Sequence, residues 1–335
     1  MPALLRPPAD LVPFGLGAMK SVALASGELR PGARRLLDAA QRLLLGTRLD
    51  LDAVAPVSPE ELAGELVAPV ELRRQLVHGM CVLTLADGPP DPRATALVAR
   101  FARAVGIDEP AVRTLQRFAE GHRVLGALDW LRRSHFRAMI GEEVERSVLG
   151  AAKALLGLRG FVEDPAVAAP YLGLGDLPAG TLGRALFDHY RGHGFALPGE
   201  RGGFPEAGVY HDVAHVLGGY DTDPLGELQV GGFIAGFRAR DPFYVAMLPL
   251  LVFVAGIDVT PLDHDAAAPL FARPGVAEAY LDAIDRGGRV RVDLSDHWDF
   301  WPLVRLPLEE ARARLGVPPP RSAAATAGAA LARSG

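Results

Sequence analysis

Apolar residues recur at helical spacing along most of this chain, whereas the alternation expected of β-strands is scarce. Residues 34–44 place leucine and alanine at the i, i+3 and i+4 positions of a one-sided helix, and residues 70–85 and 93–105 repeat the pattern. Proline and glycine interrupt it at residues 88–92, where Asp91 is expected to cap the helix that follows. The sequence therefore predicts an all-α fold.

The length of the chain and its breaker positions predict two helical domains in tandem. A chain of 335 residues is long for a single hydrophobic core. Its tail starts with three prolines, continues mainly with alanine, and cannot bury a core. The predicted organisation is a loosely structured segment at 1–28, a helical domain at 29–150, a second helical domain at 151–317 and a disordered tail at 318–335.

Composition and charge exclude several classes of function. A formal net charge of -5 gives no global attraction for nucleic acid. Lys20 and Lys153 are the only lysines, which argues against P-loop and Schiff-base chemistry. Cys81 is the only cysteine, so a disulfide within the chain and a cysteine-rich zinc site are excluded. Its apolar neighbours predict a buried thiol, and the expected location is a reducing cytoplasm.

Apolar stretches in the chain do not predict a membrane span. Residues 14–25 lack the basic, apolar and small-residue order of a signal peptide. Residues 243–257 are broken by Pro249 and fall short of the roughly 20 residues that cross a bilayer. We interpret them as core helix, with the lining of a lipid tunnel as the alternative for 243–253. The stretch 130–139 is basic and contains aromatic residues. It could dock on an anionic membrane surface, or it could be an ordinary helix with one solvated face.

A short helix is predicted to carry three metal-binding side chains on one face. His211 and His215 stand four residues apart, and Asp212 and His215 stand three apart, so the three side chains share a face. Gly218 and Gly219 are expected to end this helix. Two imidazoles and a carboxylate so arranged can bind one cation from one side.

A glutamate on the next helix is expected to complete the site. Asp223, followed by proline, predicts a helix start, and the short connection brings Glu227 within reach of the two histidines. This donor set suits zinc first, with iron, manganese, cobalt or magnesium also open, better than calcium. The predicted cofactor is a divalent metal, bound by His211, Asp212, His215 and Glu227.

Each of these residues also has a simpler interpretation. Two histidines at i and i+4 often share a solvated helix face, and Asp212 could complement the helix dipole. Glu227 could belong to a capping box, but position 224, three residues earlier, is proline. The pattern His-Asp-x-x-His, then eleven residues, then Glu favours the metal site over these separate explanations.

This pattern resembles the signature of the coenzyme Q biosynthesis proteins of the Coq-four type. The flanking sequence is also similar to that family: residues 178–185 resemble its approach to the motif, residues 215–219 and 225–228 its core, and residues 306–317 its closing helix. The resemblance covers roughly residues 155–317 in order, which makes it more specific than a motif alone.

The resemblance implies an all-helical C-terminal domain in which the four metal ligands take part in catalysis. It implies an apolar tunnel for a polyprenyl tail, a prenylated quinone precursor or other prenyl lipid as ligand, other quinone-biosynthesis proteins as partners, a homodimer, and contact with the inner face of the cytoplasmic membrane. Family members support ubiquinone assembly; the proposed reaction removes the ring carboxyl and oxidises that carbon, with the metal as Lewis acid or oxygen-binding centre. Residues 229–233 depart from the family, which usually has more charged and bulky residues there.

The N-terminal half is similar to the TerB-like helical domain. Residues 83–88 and 104–107 carry this likeness. That family usually has a glutamate after Asp-Gly, whereas here the only acidic residue within 89–95 is Asp91. We therefore interpret Asp87 as part of a turn rather than a metal ligand. An interaction or regulatory module is the expected role.

Two other functions stay open. One is a non-enzymatic prenyl-lipid carrier or scaffold; a metal site closed by protein ligands would favour it, whereas an open position favours catalysis. The other is an HD-type phosphohydrolase, which would need His189 or His193 together with Asp258. We otherwise expect His189 and His193 in a loop near the site, and His264 and His297 in turns and caps. Serine-hydrolase, NTPase and Rossmann motifs are missing from the sequence.

Overall fold

Helices form the framework of the molecule. The computed structural model describes residues 4–133, 163–203, 205–259, 266–296 and 298–319. Within these ranges every regular element is helical, and β-pairing is limited to an isolated antiparallel bridge between Thr181 and Pro307. The predicted all-α fold is confirmed.

The N-terminal part contains helices that mostly start at proline. They are α1 (Val12–Leu24), α2 (Pro31–Ala40), α3 (Pro59–Glu65), α4 (Val70–Leu83), α5 (Pro92–Ala104), α6 (Pro110–Ala119) and α7 (Arg123–Arg133). Proline suits the first helical turn because the backbone N–H there has no partner within the helix. The Asp91 side chain accepts hydrogen bonds from the N–H groups of Arg93 and Ala94, which confirms the predicted cap of α5.

The C-terminal part is described from residue 163 onward. Its helices are α8 (Pro165–Leu172), α9 (Leu182–Gly192), α10 (Val209–Gly218), α11 (Pro224–Phe237), α12 (Pro242–Pro249), α13 (Val276–Gly287) and α14 (Leu308–Leu315). A π-helical turn, Leu250–Val254, continues α12, as another, Gln41–Leu45, continues α2. The helices predicted around His211, after Asp223 and within residues 243–257 all form.

The prediction of a loosely structured segment at 1–28 is wrong for its second half. Helix α1 occupies that part, and Pro13 lies in its first turn, where proline is tolerated. Leu16, Ala18 and Val22 of this helix are fully buried. The prolines and glycines of the segment hid a helix that tertiary packing stabilises.

Two hydrophobic clusters hold the described helices together. The first combines α1, α2 and α4–α7 with side chains from α12 and α13, among them Met247 and Tyr280. The second surrounds α9 and α10 and includes Tyr190, Leu217 and Phe233. The first cluster thus contains residues from both predicted domains. The predicted boundary near residue 150 lies outside the described residues, and the division into two domains stays a prediction.

Polar contacts also join the two halves of the chain. The indole N–H of Trp130 donates to the backbone carbonyl of Tyr244 at 3.3 Å. Thr114 Oγ1 lies 3.3 Å from the hydroxyl of the same tyrosine. Arg42, in the π-helical turn that follows α2, forms an ion pair with Glu278 of α13. The N-terminal helices are therefore attached to α12 and α13 by specific contacts as well as by apolar packing.

Glycines let α11 approach its neighbours closely. A Cβ atom at Gly231 would lie 2.7 Å from Pro249 Cγ, and one at Gly236 would lie 2.4 Å from the backbone nitrogen of Gly288. A Cβ atom at Gly287 of α13 would likewise lie 1.9 Å from the carbonyl oxygen of Phe233. The small residues at 229–233, which depart from the resembled family, thus have a packing role here.

The apolar residues 243–257 lie in the core. They form α12 and the π-helical turn after Pro249, and most of their side chains are buried in the first cluster. No helix in the described ranges is long and apolar enough to cross a membrane. Cys81 is fully buried as predicted, and burial raises the pKa of its thiol well above the usual value. Of the stretch 130–139, Trp130 is buried, and residues 134–139 lie outside the described residues.

Candidate metal centre

The end of α10 and the start of α11 bring the predicted ligands together. Gly219 adopts a left-handed conformation, with φ of 70°, and its N–H donates to the carbonyl of His215 at 2.7 Å. This turn ends α10, as the glycine pair predicted. Asp223 then caps α11 by accepting from the N–H of Gly226 at 2.7 Å, and this fixes Glu227 in the first turn of α11.

The Glu227 carboxylate lies between two imidazoles. Its Oε2 is 3.5 Å from His211 Nε2, and its Oε1 is 3.3 Å from His215 Nε2. One donor atom from each residue can be chosen so that all three lie within 4.8 Å of one another. Two donors about 2.1 Å from a tetrahedral zinc ion lie roughly 3.4 Å apart. We call His211, His215 and Glu227 the metal-binding group, because its spacings fit one cation.

The imidazole of His215 contacts a backbone carbonyl on the side away from Glu227. Its Nδ1 lies 3.3 Å from the carbonyl oxygen of Tyr220, which can accept the ring proton. That contact leaves Nε2, the atom facing Glu227, free to coordinate a metal. Burial alone would lower the pKa of His215, but the hydrogen bond to Glu227 and its negative charge raise it above the usual value. A cation bound between the two side chains would compete with a proton for the same nitrogen and oxygen atoms.

Asp212, the fourth predicted ligand, lies outside the metal-binding group. Its Oδ2 accepts a hydrogen bond from the hydroxyl of Tyr190, and its Oδ1 lies 3.9 Å from Nε2 of His189. Burial alone would raise the pKa of Asp212, but His189 and His211 hold it below its usual value. The structure therefore places this carboxylate beside the histidines, turned toward α9.

His189 is not in a loop, which corrects the sequence-based expectation. It lies inside α9, its side chain is 8% exposed, and its Nε2 is buried without a hydrogen-bond partner. Its ring stacks on that of His215, with the centroids 5.4 Å apart. His193 follows as the C-cap of α9, with its Nε2 3.0 Å from Asp221 Oδ1. Gly192 misled the prediction because it is the last helical residue and does not interrupt the helix.

Two buried arginines hold the C-terminal end of α10. Arg312 donates to the carbonyls of Leu217 and Val216, each at 2.9 Å. Arg286 donates to the carbonyl of Gly218 at 3.1 Å and to the hydroxyl of Tyr220 at 2.6 Å. These carbonyls have no partner within the helix. Sequence reasoning missed both arginines, because they lie on helices far from the motif in the chain.

The structure gives no support to an HD-type site. Among the described residues, the group of three potential ligands that come close enough for one ion consists of His211, His215 and Glu227. It includes neither His189 nor Asp258. His264 and His297, which were expected in turns and caps, lie outside the described residues.

Comparisons with known proteins identify no family for this chain. No family model matches it, and no curated protein matches it. Among solved structures, the crystal structure of a suggested ubiquinone biosynthesis protein from Nostoc punctiforme PCC 73102 aligns with 75% of this chain and 100% of its own length. The sequence identity is 16% and the TM-score is 0.30, values that establish neither a common fold nor a common activity. A functional assignment must therefore rest on the site residues and on the sequence resemblance.

Proposed function

We propose that this chain is a metal-dependent protein of ubiquinone or prenyl-quinone biosynthesis that acts on the prenylated aromatic ring. The observation that carries the metal assignment is the convergence of His211, His215 and Glu227 from two helices at spacings that fit one cation. The quinone assignment rests on the resemblance of the motif and its flanks to the Coq-four type, including the proposed removal of the ring carboxyl and oxidation at that carbon.

The residues present fit a divalent metal, with zinc first and iron, manganese, cobalt or magnesium as alternatives. His211, His215 and Glu227 would hold it, with Asp212 beside them and hydrogen-bonded to Tyr190. The bound metal would supply Lewis-acid or oxygen-binding chemistry to the ring head group. The Nε2 atom of His189, which has no hydrogen-bond partner, and the carboxylate of Asp212 lie beside this group. The proposed metal site therefore has further polar side chains next to its ligands.

The partial exposure of the metal-binding group supports catalysis over a purely structural role. The side chains of His211 and Glu227 are 36% and 21% exposed, whereas that of His215 is buried. Three protein donors with one accessible side are typical of catalytic metal sites, and four closed ligands are typical of structural ones. The engagement of Asp212 with Tyr190 supports the open arrangement.

The remaining parts of the proposal rest on the sequence resemblance. They are a prenylated quinone precursor or other prenyl lipid as substrate, other quinone-biosynthesis proteins as partners, a homodimer, and a cytoplasmic location with contact at the inner membrane face. A non-enzymatic prenyl-lipid scaffold is the alternative within the same metabolism.

Elemental analysis of the purified protein tests the proposal. We expect about one equivalent of a transition metal per chain in the wild type and its loss in the His211→Ala/His215→Ala double variant. His122→Ala is the matched control, because that histidine is exposed and lies outside the site. Lipid extraction with mass spectrometry of the same samples tests the substrate class. Wild-type protein that binds no metal after incubation with zinc, iron or manganese would refute the metal assignment.

A further inference from the structure

Three large apolar side chains are exposed on adjacent turns of α7. Val124, Leu125 and Leu128 are 73%, 54% and 52% exposed. Residues three and four apart are neighbours on a helix, so Leu128 lies beside both of the others. We call these three residues the α7 stripe. Among the described helices, α7 is the only one with more than one exposed large apolar side chain. Contiguous apolar surface of this kind indicates a contact with another protein or with a membrane.

The packed face of α7 fixes the direction of the stripe. Trp130 is buried, and its indole N–H donates to the carbonyl of Tyr244 at 3.3 Å. A Cβ atom at Gly126 would lie 2.6 Å from the ring of Phe118, so glycine lets α7 pack closely against α6. Asp129 is buried on the same side. Because these contacts would break if the helix rotated, the stripe stays on the outer face of α7.

Helix α7 is locally basic, although the whole chain has a formal net charge of -5. Arg123 begins the helix and is exposed, and the sequence of the helix ends with Arg132 and Arg133. Asp129, the acidic residue of α7, is buried and paired at 3.2 Å with an arginine of α6. Glu120 is the exposed acidic residue that precedes the helix in the chain. The charge that remains on α7 therefore comes from arginine and favours an anionic partner.

We propose that α7 docks on the surface of an anionic lipid bilayer, with the stripe inserted below the headgroups and the arginines beside them. Helices with an apolar face and basic residues bind in the plane of such surfaces. The proposal names the surface for the membrane contact in the proposed function, and it rests on that function in one respect, because a prenyl-lipid substrate resides in a bilayer. The residues that carry it belong to α7 and are separate from the metal-binding group.

Co-sedimentation of the full chain with lipid vesicles tests this proposal. We expect saturable binding to vesicles of equal parts phosphatidylcholine and phosphatidylglycerol, and weaker binding to vesicles of phosphatidylcholine alone. The Leu125→Gln/Leu128→Gln variant keeps residues that favour a helix but removes apolar surface, so it should bind the anionic vesicles at least about tenfold more weakly. Val67→Gln is the matched control, because Val67 is an exposed apolar residue outside α7, and its binding should equal that of the wild type.

The contribution of charge is tested at Arg123. One basic residue at an anionic membrane surface contributes about fivefold in affinity, so Arg123→Gln should weaken binding to the anionic vesicles by about that factor. Arg240→Gln is the control, because Arg240 is an exposed arginine outside α7. Its substitution should leave binding unchanged.

A fluorescent label places the contact on α7 directly. Cys81 is fully buried, so a thiol-reactive dye attaches to an introduced cysteine instead. The emission of an environment-sensitive dye on Leu128→Cys should shift to shorter wavelength when the anionic vesicles are added. The same dye on Val67→Cys is the control and should show no shift.

Four results would overturn the proposal. The first is the absence of wild-type binding to the anionic vesicles, and the second is equal binding to the anionic and neutral vesicles. The third is unchanged binding of the Leu125→Gln/Leu128→Gln variant, with its folding checked by an unfolding curve. The fourth is a lipid-free dimer that this variant dissociates, which would assign the stripe to a contact between two copies of the chain.

Metal analysis of the same samples separates this proposal from the proposed function. The Leu125→Gln/Leu128→Gln variant should retain the metal content of the wild type, because the substituted side chains are not ligands. Loss of vesicle binding with metal retained concerns α7 alone. Vesicle binding by a wild-type protein that takes up no metal would overturn the metal assignment and leave the membrane contact in place.

Discussion

Glu227 and Asp212 are both carboxylates of the predicted motif, but they have different surroundings. Glu227 contacts two imidazole nitrogens, whereas Asp212 contacts Tyr190 and His189 of α9. We expect Glu227 to bind the metal directly and Asp212 to orient its neighbours. In metal sites, loss of an outer partner typically costs about 10- to 100-fold in metal affinity.

The two roles predict an order of effects on zinc affinity. Glu227→Gln keeps the shape of the side chain but removes the charged ligand, so it should weaken zinc binding by more than about 100-fold. Asp212→Asn should weaken binding by about 10- to 100-fold. Competition with a chelating dye measures both affinities. Equal losses in the two variants would show that Asp212 is a direct ligand, as the sequence predicted.

The buried pair of His78 and Glu109 predicts a dependence of stability on pH. Burial alone would raise the pKa of Glu109, but the hydrogen bond from His78 and that from the Ala111 N–H lower it below the usual value. A folded-state pKa below the unfolded value means that the ionised carboxylate stabilises the fold above the unfolded pKa. This contribution is lost as the pH falls through the folded pKa.

Glu109→Gln should therefore destabilise the fold at neutral pH and matter less in acid. We expect a loss of about 1.5–3 kcal/mol in the free energy of unfolding at pH 7, the range for a hydrogen bond to a charged group. The difference from the wild type should shrink below a pH of about 4, where carboxylates protonate. Urea titrations at several pH values measure it. Glu120→Gln, at an exposed site, is the control, and a difference that does not change with pH would contradict this account.

At the scale of single elements, local chemistry allowed most helices to be predicted. Asp91 and Asp223 cap α5 and α11 as their sequence positions indicated, and Gly219 ends α10. These signals act within a few residues, so one sequence is enough to recognise them. The contact between Tyr190 and Asp212, by contrast, depends on how α9 packs against α10. Helix α1 was missed because its stability comes from burial against other helices rather than from its own sequence.

The hydrogen bonds from Arg312 to the end of α10 predict what its removal would do. Without its guanidinium the carbonyls of Val216 and Leu217 lose their donors in a buried place. We expect Arg312→Met to lower the free energy of unfolding by about 2–3 kcal/mol. The shift of α10 should also weaken zinc binding, because His211 and His215 lie on that helix. Chemical denaturation and dye competition measure the two effects.

Arg314 provides the matched control for Arg312. It lies two residues further along α14, is exposed and pairs with Glu310 one helical turn away. Exposed pairs of this kind contribute little, so Arg314→Met should change the free energy of unfolding by no more than about 0.5 kcal/mol. Equal effects of the two substitutions would mean that the hydrogen bonds to α10 carry no special weight.

At the scale of the whole molecule, the sequence could not show which helices share a core. The length of the chain and its breaker positions predicted two domains that meet near residue 150. The first hydrophobic cluster contains Leu37 and Phe101 together with Met247, Leu251 and Tyr280. Such a cluster depends on contacts between residues more than a hundred positions apart, and the spacing of apolar residues within a helix carries no information about them.

This shared cluster predicts that the C-terminal half does not fold by itself. A fragment spanning residues 151–335 would expose the faces of α12 and α13 that the N-terminal helices cover, including Phe243, Met247 and Tyr280. Burial of such side chains contributes about 1.5–3 kcal/mol each, so exposing several of them removes a large share of the roughly 5–15 kcal/mol by which a folded protein is usually stable. We expect the full chain to unfold in one cooperative urea transition, and the fragment to bind a hydrophobic dye and to lack such a transition. A fragment that unfolds cooperatively and binds zinc as tightly as the full chain would instead support two independent domains, because neither property could then depend on the N-terminal helices.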